Sequence, residues 1–496
     1  MGVDIMRKII KYIVNNYSIL LLIIMFVVAS AHTICENDLY FDLKTGEDIL
    51  KHGLTFKEPF SFIPGLTYVY LHWFYDIFIY IIYSIFNWSG LYIMFIFFTG
   101  LFFIIYYKET NKIVKDKLLS SIITLIVFYV CKYAFVSRVQ TIIYLILFLE
   151  VLLLEKLYKT GEKKYSIYLV LLSILVVNIQ MPIWIFYVIL TLPYIFEVLI
   201  NKIFKDKFES CKNNKVFFIT IGLIVISGLI SPYGLMPYTY CLKSLGNPIY
   251  QTLGIGEMKS TVLFRAKEVL AILLLYIGCL YLKMVKFTLR DFCLACGLFV
   301  FSLIVNKNVI FYLYFGPYIL IKSMDFSIIK NKLNKIYSKI NLTTIEIILI
   351  ILCTILNIKV FNFKYKNFNN YGYDDYPSGI VNYLKENTDY KNIKLFTDYN
   401  NGSFYLFNDI KVFVDSRAEV YMKEYNGGKD ILSDYIKLGN YYSYKDIIDK
   451  YEFDYFALSS RDDLVYYLIK ENGYCIVDSY REYVLFEHYS DKNTIK

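Results

Sequence analysis

Long apolar runs recur along almost the whole of this 496-residue chain, and they restrict its fold more than any other feature. They occupy Tyr17–Ala31, Gly90–Tyr107, Leu118–Val136, Thr141–Leu154, Ser166–Val177, Ile183–Ile200, Val216–Ile230, Val269–Leu282, Phe292–Val305, Val309–Ile321 and Ile345–Ile358, about eleven in all. A helix needs roughly 17–25 residues to cross a bilayer, and only segments that bond their own backbone groups survive in hydrocarbon. The chain is 57% hydrophobic and only 19% charged, where soluble domains carry about a quarter charged residues. These features predict an α-helical polytopic membrane protein of about eleven transmembrane helices.

The basic residues fall between the runs, in Lys108–Lys117, Lys156–Lys164, Lys202–Lys215, Lys283–Arg290 and Lys322–Lys339. With a cytoplasmic N-terminus, about 24 Lys and Arg lie inside against about 10 in the other short loops and span ends, the asymmetry the positive-inside rule requires. The net charge of +9 is therefore a membrane signature and excludes a nucleic-acid face. The count holds only if Tyr68–Phe86, apolar enough for a span, lies along the outer surface as an interfacial helix. His72, Trp73, Asp76 and many tyrosines suit that boundary. At the N-terminus, Arg7, Lys8 and Lys11 precede Tyr17–Ala31, which ends in a signal-like Ala29-Ser30-Ala31; an uncleaved first helix is expected because so many spans follow. Nine cysteines form no framework, and the Cys293/Cys296 pair lacks a second pair or a histidine at ligand spacing, so packing is its expected role. Four histidines are too few for a His-built zinc site to be the default.

After the first run, the stretch Ile34 to Leu66 gathers Glu36, Asp38, Asp42, Glu47 and Asp48 against a membrane surface. Carboxylates are dense there for so apolar a chain, and the segment reads as the active-site loop of a membrane enzyme. The same topology brings three polar breaks to that side: Ser137-Arg138-Val139-Gln140, Asn178-Ile179-Gln180-Met181-Pro182 and Ser231-Pro232-Tyr233-Gly234. Polar groups at membrane depth face a cavity or a partner, although a plain hairpin turn equally explains Asn178 to Pro182. The expected domains are a transmembrane domain over 1–360, with an external first loop at 34–67 and the interfacial helix at 68–86, and a soluble extracytoplasmic α/β domain over 361–496. In the latter, Ser378–Glu386 and Asp462–Lys470 read as helices. Ile393–Thr397, Lys411–Asp415 and Tyr455–Leu458 read as strands, and Cys475–Val477 with Tyr483–Phe486 as a hairpin. No GxGxxG, P-loop, GxSxG or HExxH occurs in it.

The run Asp38-Leu39-Tyr40-Phe41-Asp42-Leu43-Lys44-Thr45-Gly46-Glu47, then Gly53, Glu58-Pro59-Phe60-Ser61-Phe62 and Trp73, resembles a group of bacterial polytopic proteins within the fold-C (GT-C) glycosyltransferases. Their pattern is an Asp, two aromatics, a His, Thr-Gly, Asp-Pro-Phe-Ser and a Trp. Arg138-Val139-Gln140 resembles their Arg-Pro-Gln, Asn178-Ile179-Gln180 their Asn-x-His, and Ser231-Pro232-Tyr233-Gly234 their Asn-Pro-Tyr-Gly, with Glu257 matching a later Glu. Asp398-Tyr399-Asn400-Asn401-Gly402 and Val412 to Glu419 resemble Asp-Tyr-x-x-Gly and Phe-x-Asp-Gly-Arg-Ala-Asp. Asp42 and Gln180 stand where that group has His, and Ser137-Arg138-Val139 lacks its Pro.

The resemblance implies an inverting transfer of a sugar from a polyprenyl-phosphate carrier at the outer face of the cell membrane, in the cell envelope, with membrane lipid and lipid-linked sugar as partners. A carboxylate takes the acceptor's proton, and cations or a divalent metal neutralise the departing phosphate. Asp38 is the expected base, with Asp42 as a second catalytic carboxylate. Arg138, whose fork suits phosphate, is expected to bind substrate with Gln140, Asn178, Gln180, Glu257 and Trp73; Arg265 and Lys267 are weaker candidates. Plainer roles exist for each: Asp38 and Asp42 as helix caps, Arg138 as a headgroup anchor, Glu257 as loop surface, Asp415 with Arg417 as an internal ion pair. Competing readings are a transporter or flippase, which would place sites near the midplane and usually show internal repeats, and a non-catalytic assembly protein for envelope polysaccharide.

Overall fold

A computed structural model describes residues 35–204, 207–244, 259–264, 266–326, 376–440, 442–470 and 473–489. The runs Tyr17–Ala31 and Ile345–Ile358, and the expected domain boundary at 360, lie outside these residues. The chain divides into two compact units.

The first unit, Tyr92–Leu245 with the described part of 254–369, is helical. Every apolar run from Gly90 to Ile321 lies in a helix or helix pair. These are the later part of Trp73–Val114, then Lys117–Cys131, Gln140–Thr160, Lys163–Ile179, Trp184–Ile189 with Leu192–Ile203, Asn214–Ser227, Lys267–Tyr281, Leu289–Ile304 and Val309–Ser323. Among the described residues three helical stretches, Trp73–Val114, Lys117–Ala134 and Met181–Ile203, are long and apolar enough to cross a membrane.

Charged and amide side chains gather at the two ends of this bundle, with Glu150, buried midway along Gln140–Thr160, an exception. Gln140–Thr160 and Lys163–Ile179 form a hairpin closed by Gly161, whose left-handed backbone (φ 67°) caps the first arm. Near that closed end sits Arg290, fully buried. Its guanidinium bonds Glu155 at 2.8 Å, Glu197 at 2.5 Å and Glu209 at 2.7 Å, while Lys322 bonds Glu155 at 2.9 Å and Asp291 at 2.7 Å. Three helices and a loop thus meet on Arg290, whose fork can serve several carboxylates at once, and Lys322 ties in a fourth helix. Gln140 and Gln180 mark the open end, about 20 Å away at 1.5 Å per residue. There the Asn178 side-chain amide donates to the carbonyls of Ile174 and Ile230, at 2.8 and 2.9 Å, tying two of the polar breaks together.

The second unit joins Cys35–Leu91 to the C-terminal residues. Its sheet has four strands, β1 (Leu395–Thr397), β2 (Tyr455–Ser459), β3 (Tyr474–Tyr480) and β4 (Tyr483–His488), in the order β1-β2-β4-β3. The β1/β2 pair is parallel and the other two pairs are antiparallel. The expected helices appear as Ser378–Asn387 and Asp463–Lys470. Lys411–Asp415 is not a strand. Val412 makes only isolated bridges, to Leu395 and to Ser61, because Asp415 turns back to receive the backbone N–H of Arg417.

The segment expected as a loop at 34–67 begins as a helix, Asn37–His52. Tyr40 from this helix enters the core of the C-terminal part, with Ile380, Leu384, Leu395, Phe404 and Leu485. Its ring packs edge-on to Tyr376 and Phe404, with centroids 4.7 and 5.1 Å away, contacts of about 0.5–1.5 kcal/mol each beyond area burial. The expected interfacial helix starts at Trp73 rather than Tyr68. It ends at Asn87, whose backbone (φ 53°, ψ −155°) breaks the helical path before the next run; Asn is among the few non-glycine residues that accept positive φ.

Candidate functional site

Helix Asn37–His52 carries Asp38, Asp42 and Gly46 at four-residue spacing, on one face. Gly46 is where the next helix, starting at Trp73, comes against it. A Cβ on Gly46 would stand 2.1 Å from the carbonyl oxygen of Asp76 and 2.8 Å from the Cβ of Tyr80. Only a residue without a side chain permits this approach. Thr45 beside it is buried, its hydroxyl 3.4 Å from that of Tyr68.

The approach creates a cluster of three ionisable groups. The Nδ1 of His72 lies 3.4 Å from an Asp42 carboxylate oxygen, and donor atoms of Asp42, His72 and Asp76 all lie within 4.8 Å of one another. Asp42 and Asp76 are 2% and 1% exposed, whereas His72 is partly open. Burial pushes the Asp42 carboxyl above the usual carboxylate range, with His72 pulling it down and the Asp38 charge pushing it further up. One oxygen of Asp76 is buried with no hydrogen-bond partner among the described residues. Two buried carboxylates cannot share so small a space unless a proton or a cation lies between them. Two ligands of one divalent ion stand at most about 4–5 Å apart, twice a bond of about 2.0–2.4 Å. The spacing, the mixed oxygen and nitrogen donors and the orphaned Asp76 oxygen all fit such an ion.

Asp38 is half-buried in the first turn of its helix, one turn before Asp42. Trp73 follows His72 directly, its ring against that of Phe74. Asp38, Asp42 and Trp73 belong to the second unit; Arg138, Gln140, Asn178 and Gln180 belong to the first. Arg138 is half-buried and its carbonyl accepts from the N–H of Thr141. The side-chain oxygens of Gln140 and Gln180 are buried without a partner among the described residues. Glu257 and Arg265 lie outside the described residues, and Lys267 is exposed. Sequence reasoning treated His72 and Asp76 as boundary residues. Their i, i+4 spacing opposite Asp38 and Asp42 was the available signal, but it needs knowledge of the helix pairing.

The motifs after Gly53 have structural work. Residues 56–68 form an excursion closed by Glu58 N–H to Leu66 carbonyl (3.0 Å) and Tyr68 N–H to Phe56 carbonyl (3.1 Å). Both Glu58 oxygens accept from Arg417 at 2.9 Å, and one also accepts from the N–H groups of Phe60 and Ser61. Arg417 also bonds Asp415 at 2.6 Å and lies over the rings of Phe60 and Tyr68, 5.0 and 4.7 Å from their centroids. The internal ion pair expected of Asp415 and Arg417 exists, and it extends to the first loop. Burial pushes the Glu58 carboxyl up while Arg417 pulls it down. The Ser61 hydroxyl donates to the Val412 carbonyl at 3.0 Å. Gly402 sits so close to the backbone that its Cβ would meet the Val414 oxygen at 2.3 Å, while Asp398 accepts from the N–H groups of Asn400 and Asn401.

No family model and no curated protein sequence matches the chain. Solved structures do. The Archaeoglobus fulgidus oligosaccharyltransferase in its apo form aligns over 91% of this chain and 70% of its own, with a TM-score of 0.60 at 11% identity. The archaeal oligosaccharyltransferase AglB from Archaeoglobus fulgidus, in complex with an inhibitory peptide and a dolichol-phosphate, aligns over 93% and 73%, with a TM-score of 0.57 at 12% identity. The oligosaccharyltransferase of the apo structure, tethered to an acceptor peptide via a disulfide bond, aligns over 91% and 70%, with a TM-score of 0.57 at 12% identity. At these identities the likeness is one of fold: the chain has the architecture of these oligosaccharyltransferases.

Proposed function

We propose that the chain is a membrane glycosyltransferase that moves a sugar from a polyprenyl-phosphate carrier to an extracytoplasmic acceptor. One observation carries the reading: two buried carboxylates and an imidazole converge beside Asp38, with an Asp76 oxygen left unpartnered. A scaffold gains nothing from so costly a cluster, and a transporter would place it near the bilayer midplane rather than beside a surface helix. Support comes from the shared fold with oligosaccharyltransferases, one of them complexed with dolichol-phosphate.

In this reading Asp38, the more open of the acids, accepts the proton of the acceptor group as that group attacks the anomeric carbon from the side opposite the carrier. The bond from that carbon to the carrier's phosphate oxygen breaks, and its electron pair leaves with the phosphate. Inversion follows from the single displacement. Asp42, His72 and Asp76 would hold a divalent cation, whose charge when bound offsets that of the phosphate. Two carboxylates with one imidazole suit Mn²⁺ better than an all-oxygen site would. Arg138, Gln140, Asn178 and Gln180 keep their expected place as substrate-binding residues. Glu257 keeps its expected place among the substrate-binding residues, and Trp73 supplies an aromatic face for the sugar.

Topologically, the N-terminus is cytoplasmic, the helix from Trp73 to Asn87 lies along the outer membrane surface, and the C-terminal domain is extracytoplasmic. Labelling of a Lys112→Cys variant from outside the cell would overturn this arrangement. The central test is transfer from a panel of radiolabelled polyprenyl-phosphate sugars by membranes containing the protein. Asp38→Asn should abolish transfer while leaving the melting temperature unchanged; a variant with wild-type transfer removes Asp38 from the mechanism.

A further inference from the structure

Arg417 lies in the C-terminal part of the chain, more than 300 residues from the acid cluster in sequence, yet an unbroken series of contacts connects them within the second unit. The guanidinium covers the ring of Tyr68, centroid distance 4.7 Å. The Tyr68 hydroxyl lies 3.4 Å from that of Thr45, which is buried on helix Asn37–His52 between Asp42 and the Gly46 contact to Asp76. Tyr68 also begins the stretch Tyr68-Val69-Tyr70-Leu71 that delivers His72, and its ring packs on Tyr70 at 4.3 Å. Tyr68 therefore touches one ligand-bearing helix and belongs to the segment that leads into the other.

The grip on Arg417 is firm. Its fork is held from below by Asp415, itself bonded by the Tyr421 hydroxyl at 2.6 Å, and from the side by both oxygens of Glu58. All four side chains are buried, where a planar guanidinium keeps its orientation far better than an ammonium would. Moving it means breaking at least two charge-assisted bonds in low dielectric.

We propose that Arg417 is a positioning residue for the Asp42–His72–Asp76 cluster: through Tyr68 it fixes the spacing of the two helices, so that the C-terminal domain sets the affinity of the first loop for its cation. The proposal rests on the reading that this cluster holds a divalent ion. Outer partners that orient a ligand typically alter metal affinity about 10–100-fold when removed.

The experiment measures Mn²⁺ binding to the purified full-length protein in detergent, by the loss of the free-ion paramagnetic resonance signal, alongside the melting temperature. Asp42→Asn and Asp76→Asn first test the underlying reading; if both bind Mn²⁺ as the wild type does, the cation site is wrong and this proposal falls with it. If they abolish binding, Arg417→Lys should keep a folded protein but weaken Mn²⁺ by about 10-fold or more. Tyr68→Phe, which spares the buried ion pairs and removes only the hydroxyl, should weaken it in the same direction with an unchanged melting temperature. It decides the matter should Arg417→Lys fail to fold. Wild-type Mn²⁺ affinity in Tyr68→Phe, or in a folded Arg417→Lys, overturns the proposal.

Discussion

Replacing Gly46 with alanine tests the geometry of the site through the sign of a stability change. In an ordinary helical position Ala is favoured over Gly by about 1 kcal/mol, so a helix with open space at Gly46 would gain stability. Here the new methyl would stand 2.1 Å from the Asp76 carbonyl oxygen, against the 3.4 Å at which ordinary contact begins. The obstacle is backbone and cannot rotate away. The two helices must part by more than 1 Å, or the chain near Asp76 must bend, a strain of about 1–3 kcal/mol for overpacking. Set against the propensity gain, the net loss is about 0–2 kcal/mol. Ligand distances tolerate only about 0.2 Å, so the same displacement should weaken Mn²⁺ binding far more than it weakens the fold. Thermal unfolding in detergent and Mn²⁺ titration of Gly46→Ala read both effects. A variant that melts higher than the wild type, with undiminished Mn²⁺ affinity, would refute the close approach and the cluster it creates.

Other perturbations follow from the charged groups. Glu58→Gln leaves Arg417 with Asp415 alone and should lower stability by about 3 kcal/mol, the low end for breaking a buried pair; an unchanged melting temperature would mean that the pair contributes nothing. Arg290→Lys replaces a fork serving Glu155, Glu197 and Glu209 by a single ammonium. A loss of about 3–5 kcal/mol is expected, and an unchanged melting temperature would mean that the fork adds nothing over a single ammonium. Because burial raises the Asp42 carboxyl, the metal-free fold gains from its protonation. That contribution is fully present below the unfolded value near pH 4 and is lost as pH rises through the folded one. Mn²⁺ must displace this proton, so its affinity should climb with pH and level off once Asp42 has ionised; an affinity that does not rise with pH would argue against a protonated Asp42.

The helices of the first unit were legible because a helix in lipid is written as an uninterrupted apolar run, and each run from Gly90 to Ile321 proved helical. The strands Leu395–Thr397 and Tyr455–Ser459 were legible from short β-branched and aromatic stretches. Val412 was not: its neighbour Phe413 packs on Phe62 and Phe453, and Val412 itself makes only isolated bridges. Helix Asn37–His52 was hidden by its own acids: five carboxylates over 36–48 suggest solvent, while the apolar positions Leu39, Leu43 and Ile49 carry the helical period. At the site, Asp38 and Asp42 could be singled out from local density of charge. His72 and Asp76 could not, since their relation to Asp42 comes from a helix pairing across 30 residues, and Gly46 announced its purpose only once a backbone was found pressing on it.

The two faces of helix Asn37–His52 explain how so unfavourable a cluster is tolerated. Burying Asp42 and Asp76 together costs several kcal/mol per charge before any cation arrives, and a helix free to slide would relieve it by turning its carboxylates to water. The opposite face prevents that. Tyr40 is locked among Tyr376, Phe404 and Phe407, and Lys44 reaches Asp409 of the C-terminal part at 2.5 Å. Phe41 on the flank packs with Phe60 and Leu406. Apolar burial of one side thus holds the acids of the other in place, with the charge balance of the cluster left open for a ligand to complete. On this argument the small domain need bring no catalytic group of its own. Its contribution is the anchorage that keeps Asp42, His72 and Asp76 facing one another when nothing is bound.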